Sequence, residues 1–128
     1  MSAIEMMREG GFYVIGSRAG LKPVRLWVGR IDGTSELVPL VREPVVHCAL
    51  MSMTEGMPWL GHAPFYMSVL LAEPLQRVVP FDLPDAGFDA EYASWRQEWD
   101  AGVASVWEIG PAEVYRDAVR FLMGMRKQ

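Results

Sequence analysis

Two apolar stretches dominate the middle of the chain. Val45 to Met53 (VVHCALMSM) and Tyr66 to Ala72 (YMSVLLA) are apolar at consecutive rather than alternate positions. A strand with one wet face alternates, whereas a strand covered on both faces need not. Both stretches are therefore expected to be central strands. In the first, Val45, His47, Ala49, Met51 and Met53 point one way, and Val46, Cys48, Leu50 and Ser52 point the other. Between them, Thr54 to Pro64 is punctuated by Gly56, Pro58, Gly61 and Pro64, a loop signature, yet it carries Trp59 and Leu60 and runs into Phe65. Apolar loops of this kind cover a core or form a contact surface.

The flanking pattern supplies the other elements. Ser2 and Glu5 have capping-box spacing, which predicts a short helix ending before Gly10-Gly11. Phe12 to Ile15 is a short strand, and Gly16 to Gly20 a loop. Val24 to Ile31 and Glu36 to Val41 flank Asp32-Gly33, the composition of a two-residue hairpin turn, in a register that sets Val28 opposite Leu37 and Val24 opposite Val41. Pro39 places the second of these strands at an edge. Val78 to Leu83 is extended but peripheral, because Pro80 and Pro84 deny it a central position.

Beyond Pro84 the period changes. Phe88, Tyr92, Trp95 and Trp99 recur at helical spacing, which predicts a helix from about Asp89 to a stop at Gly102. Val103 to Ile109 alternates as a strand. Gly110-Pro111 opens the last helix, whose stripe is Tyr115, Ala118, Val119 and Leu122, widened by Val114, Phe121 and Met125. The elements assemble into a single α+β domain spanning 1–128. Its expected form is a mainly antiparallel sheet of five or six strands with two C-terminal helices on one face.

Composition changes this picture in one respect. A chain of 128 residues that is 51% apolar, with five Trp and nine Met, carries more apolar surface than one core of this size needs. A homo-oligomer, dimer or higher, is expected to bury the surplus. The net charge of −4 and the lack of any basic cluster argue against nucleic acid as a partner. From Glu73 to Glu113 the acids are offset only by Arg77 and Arg96, the composition of a solvated helix face. The longest uncharged run, Gly56 to Ala72, is broken by prolines and too short for a membrane span. Cys48 is alone, so no disulfide framework forms, and Met1-Ser-Ala-Ile-Glu has no leader character. A cytoplasmic protein is expected.

Candidate chemistry concentrates in the same central region. His47, Cys48, Glu55 and His62 are the nearest approach to a metal-ligand set, but His47 and Cys48 point to opposite faces and the others lack a ligand spacing. No metal and no cofactor are expected; His47 is expected to be buried and hydrogen-bonded, and His62 exposed in the loop. Apolar neighbours disfavour a thiolate, so Cys48 belongs to the core rather than to catalysis. Met51, Met53, Met57 and Met67 are packing residues, and Ser17-Arg18 lies in an ordinary turn. What remains is an aromatic group with polar handles: Trp59, Phe65 and Tyr66 with His62, joined by His47. These five are the candidate ligand-binding or interface residues. The function expected is a self-associating module that binds a small apolar or aromatic ligand or a protein partner. The alternative is a small hydrolase or isomerase with His47 or His62 as general base, which requires an orienting carboxylate that the sequence does not assign.

Overall fold

Val45–Ser52 forms a strand, β3, whose side chains are buried from Val45 through Met51. The structure, a computed structural model, describes residues 7–17, 20–33, 44–54, 56–83 and 87–126. Strand β3 joins β1 (Phe12–Ile15), β2 (Val24–Asp32), β4 (Trp59–Tyr66) and β5 (Leu75–Arg77) in one antiparallel five-stranded sheet of order β4-β3-β2-β1-β5. The first four strands are neighbours in sequence order, the cheapest connectivity for a sheet. A short helix α1 (Met67–Leu71) leaves the β4 edge, and β5 closes the other edge against β1. Helices α2 (Phe88–Asp100) and α3 (Pro111–Arg126) follow.

Residues paired across antiparallel strands share a face, so the register sorts every side chain. One face carries Tyr13, Ile15, Val24, Leu26, Val28, Val46, Cys48, Leu50, Ala63 and Phe65. Ala112, Val114 and Tyr115 of α3 and Met67 and Leu70 of α1 pack with them as the main core. The other face carries Trp27, Arg30, Asp32, His47, Ala49 and Met51. Helix α2 covers it, with Phe88 edge-on to Trp27 at 5.0 Å and Trp95 edge-on to His47 at 4.4 Å.

The α+β class, the antiparallel sheet and the two C-terminal helices stand as expected, but the helices take opposite faces rather than one. The reason lies in the sheet itself, which is apolar on both sides and needs a cover on each. The expected hairpin can be followed only along its first strand, β2. Val24 to Trp27 has β1 on one side and β3 on the other. Residues 34–43 themselves, like the Ser2–Glu5 cap, lie outside the described residues.

The second apolar run is a helix rather than a strand. Met67 and Leu70, one turn apart, reach the core, and Met, Leu and Ala are strong helix formers. A short apolar run has no period that separates the two states. The strand expected there is instead built from the Pro- and Gly-containing segment, Trp59–Tyr66. It tolerates Pro64 because β4 is an edge strand. Pro64 offers its carbonyl outward to the Trp107 N–H at 2.9 Å, and Phe65 bridges Trp107 in parallel fashion. That bridge is the only described pairing of the strand expected over residues 103–109.

Helix α2 ends as its sequence predicts. Gly102 has φ 78°, and the amides of Gly102 and Val103 return to the carbonyls of Trp99 and Glu98. Arg96 and Asp100 pair one turn apart at 3.5 Å.

Gly29 controls the approach of α2. A Cβ there would collide with the Phe88 ring. Gly29→Ala should therefore displace Phe88 and cost ~1–3 kcal/mol, the usual penalty for overpacking. Denaturant unfolding of the variant checks this, and an unchanged midpoint would mean that Phe88 does not rest on Gly29.

Candidate functional site

A β-bulge in β2 completes a polar cluster beneath α2, and a second bulge lies beside it in β4. On β2, Val28 and Arg30 face the consecutive residues Cys48 and His47, so Gly29 is an extra residue. A bulge reverses the facing of everything beyond it. Strict alternation would send Asp32 to the same side as Leu26. With Gly29 inserted, Ile31 returns to the main core opposite Val46, and Asp32 stands on the His47 side opposite Val45. On β4, Cys48 and Leu50 face Ala63 and Leu60, so Gly61 and His62 together oppose Ala49. His62 continues the register of Ala63 to Tyr66 and stands on the His47 face beside that ring, and the extra residue returns Leu60 to the core side opposite Leu50.

The resulting chain is continuous. His47 Nε2 lies 2.9 Å from Asp32 Oδ2, and His47 Nδ1 lies 2.8 Å from His62 Nε2. Tyr92 donates its hydroxyl proton to Asp32 at 2.9 and 3.0 Å. Arg96 stands 3.8 Å from the same carboxylate, and the Arg30 guanidinium lies 4.9 Å from the Tyr92 ring centroid. An ionised carboxylate only accepts, so His47 donates from Nε2 and accepts at Nδ1. His62 then donates from Nε2, which leaves its Nδ1 as an unprotonated acceptor. No hydrogen bond to that atom is made among the described residues.

Electrostatics keep the pair neutral. Burial pushes the pKa of His47 down to about 4, against the opposing pull of Asp32. Burial, with His47 as a second cause, pushes His62 to about 4 as well. Trp95, Tyr92 and Phe88 supply the apolar cover, with Tyr92 edge-on to His47 at 4.7 Å and Phe88 5.6 Å from His62. The phenol of Tyr92 is shifted upward by burial and by Asp32, so it remains a donor.

The five candidate residues are divided by the sheet. His47 and His62 are in direct contact, and Trp59 and Tyr66, opposite Met51 and Val45, share their face. Phe65 points the other way and is fully buried in the main core. Trp59 to Tyr66 is a strand rather than a loop, so His62 is not an exposed loop residue but is half-buried against His47. Cys48 also lies on the Phe65 side, where burial drives its thiol pKa upward and removes any thiolate. Both ring nitrogens of His47 are engaged by protein groups, so neither offers a free lone pair to an ion. Among the described residues no group of three or more His, Cys, Asp or Glu side chains is arranged to hold a metal; Glu55 lies outside them.

Asp32, Tyr92 and Arg96 complete the cluster and were not among the candidates. Asp32 looked like a turn residue, and Tyr92 a member of a helix stripe. One signal was available, since an isolated glycine inside a strand pattern, here Gly29, marks a bulge. Compared with protein families, with characterised proteins and with solved structures, the chain matches none.

Folding lowers both imidazoles from 6.5 to about 4, so the unfolded chain binds more protons between those values. Stability should be complete above about pH 6.5 and fall as the pH drops towards 4. Urea unfolding at pH 7.5 and 5.0 measures the loss, and His62→Gln should make the dependence shallower. Imidazole nitrogen spectra should show both rings neutral and protonated at Nε2 at pH 6; a charged ring there would contradict the assigned chain.

Proposed function

We propose that this domain binds a small apolar or aromatic molecule bearing a hydroxyl or N–H donor, with His62 Nδ1 as the acceptor that orients it. The observation that carries the proposal is the Asp32–His47–His62 chain, which holds one imidazole in a single tautomer and leaves one lone pair unused. Such pre-setting lowers the ordering cost of binding. Trp59 and Tyr66 on the same face supply apolar contact area.

Phenol is a suitable probe because it combines one donor with an aromatic ring. It should shift the His62 Nδ1 resonance saturably, and His62→Phe should abolish that response while the amide spectrum of the sheet is retained. An unshifted Nδ1 at millimolar phenol removes the proposal. Trp59→Ala should weaken phenol binding with under about 2 kcal/mol loss of stability, as for substitutions outside a core. Trp95→Ala, by contrast, removes a buried ring and should cost ~3–5 kcal/mol.

A second reading is enzymatic, and the same chain favours it. A proton taken at His62 Nδ1 can be passed on from Nε2 to His47 Nδ1, which places the imidazolium against Asp32. A base held near 4 is weak at neutral pH, however, and that favours recognition over proton abstraction.

Self-association belongs to the leading proposal. Phe121 is 69% exposed, and Leu122 and Met123 beside it are also exposed, where α3 runs on past its buried residues Ala112, Val114 and Tyr115. Light scattering at micromolar concentration should give a mass above 14.4 kDa, and Phe121→Glu should lower it. A 14.4 kDa species for the unaltered chain would mean that this patch does not join copies.

A further inference from the structure

The opposite side of the sheet carries a cleft that is independent of the histidines. Leu21, Pro23 and Val24 leading into β2, with Met57, Tyr115 and Val119, form the apolar walls of a cleft of ≈ 280 Å³. Lys22, Arg116 and Arg120 also line it, all three are exposed, and among the described residues that line it there is no carboxylate. On a chain of net charge −4, this is a local concentration of positive charge over an apolar hollow.

The cations are not consumed by internal pairing. Arg116 engages its helix neighbour Asp117 at 3.1 Å, through Nε alone. Lys22 and Arg120 have no ion-pair partner among the described residues. Arg116 and Arg120 stand one helical turn apart, an arrangement of like charges that is unfavourable by itself and is relieved by an anion between them. A planar guanidinium matches a carboxylate through paired hydrogen bonds. The cleft is at the small end of the ~300–1,000 Å³ typical of ligand sites, which limits the apolar body to a short chain or one ring.

We infer that this cleft binds a small amphipathic carboxylate, its apolar body between the start of β2 and α3 and its carboxylate between Lys22, Arg116 and Arg120. The site uses the main-core face, so it stands or falls apart from the His62 proposal.

Octanoate is the probe, and 1-octanol is its uncharged counterpart. Octanoate should bind saturably, with amide shifts at Leu21, Val24 and Val119. Octanol should bind about tenfold more weakly or worse, the scale of one charge-assisted hydrogen bond. Arg116→Gln combined with Arg120→Gln should reduce octanoate affinity by about the same factor while leaving octanol unaffected. These exposed substitutions should leave the fold intact, and His62→Phe should leave octanoate binding unchanged. Equal affinity for octanol, an unaltered octanoate affinity in the double variant, or no saturable shift at these residues would each overturn the inference.

Discussion

His47 is fully buried in a strand covered on both faces, and that constraint organises half of the structure. An imidazole without hydrogen bonds in such a place costs ~1–3 kcal/mol per unsatisfied group. Both of its nitrogens therefore need partners, and both find them in the neighbouring strands, Asp32 on β2 and His62 on β4. Asp32 would not be in position in a regular ladder, whereas His62 keeps the register of Ala63 to Tyr66. Each neighbouring strand inserts an extra residue, one at Gly29 and the other around Gly61, next to the buried histidine. Asp32 in turn accepts from Tyr92, which ties α2 to the sheet through a hydrogen bond as well as through ring contacts.

The two faces of the sheet are stabilised by different means. The α3 side is a conventional core of aliphatic and aromatic side chains, in which Cys48 is an inert filler. The α2 side is aromatic and polar, with rings set edge-on around a histidine pair and every described buried polar side-chain atom satisfied. A networked face of this kind specifies one arrangement, because a displaced member leaves another group without its partner. Gly29 links the two means, since it is the extra residue of the bulge that turns Asp32 inward and also leaves room for Phe88.

Much of the fold was legible in the chain because it depends on local periodicity. The alternation of His47 and Cys48 across β3, the four-three-four aromatic spacing of α2, its stop at Gly102 and the proline start of α3 all follow from neighbours within a turn or two. Those features carry the α+β class and the sheet. The histidines also stood out, as the polar members of an apolar region. Less legible were elements whose state depends on partners. Met67 to Leu71 has no period that separates helix from strand, and Trp59 to Tyr66 is a strand only because β3 offers an edge to pair with.

What the sequence by itself determined is that both faces of the central strands must be covered and that His47 would be buried. Which residues satisfy it was decided only by the tertiary structure. A bulge is a property of two strands, since one extra residue has meaning only against the residue it faces, so Gly29 can mark a bulge within Val24 to Asp32 but only the pairing with β3 fixes that Asp32 changes sides. The same holds for the helices, whose apolar stripes show that each must pack but not against which face. Strand pairing settled both questions, because register converts sequence position into a side of the sheet.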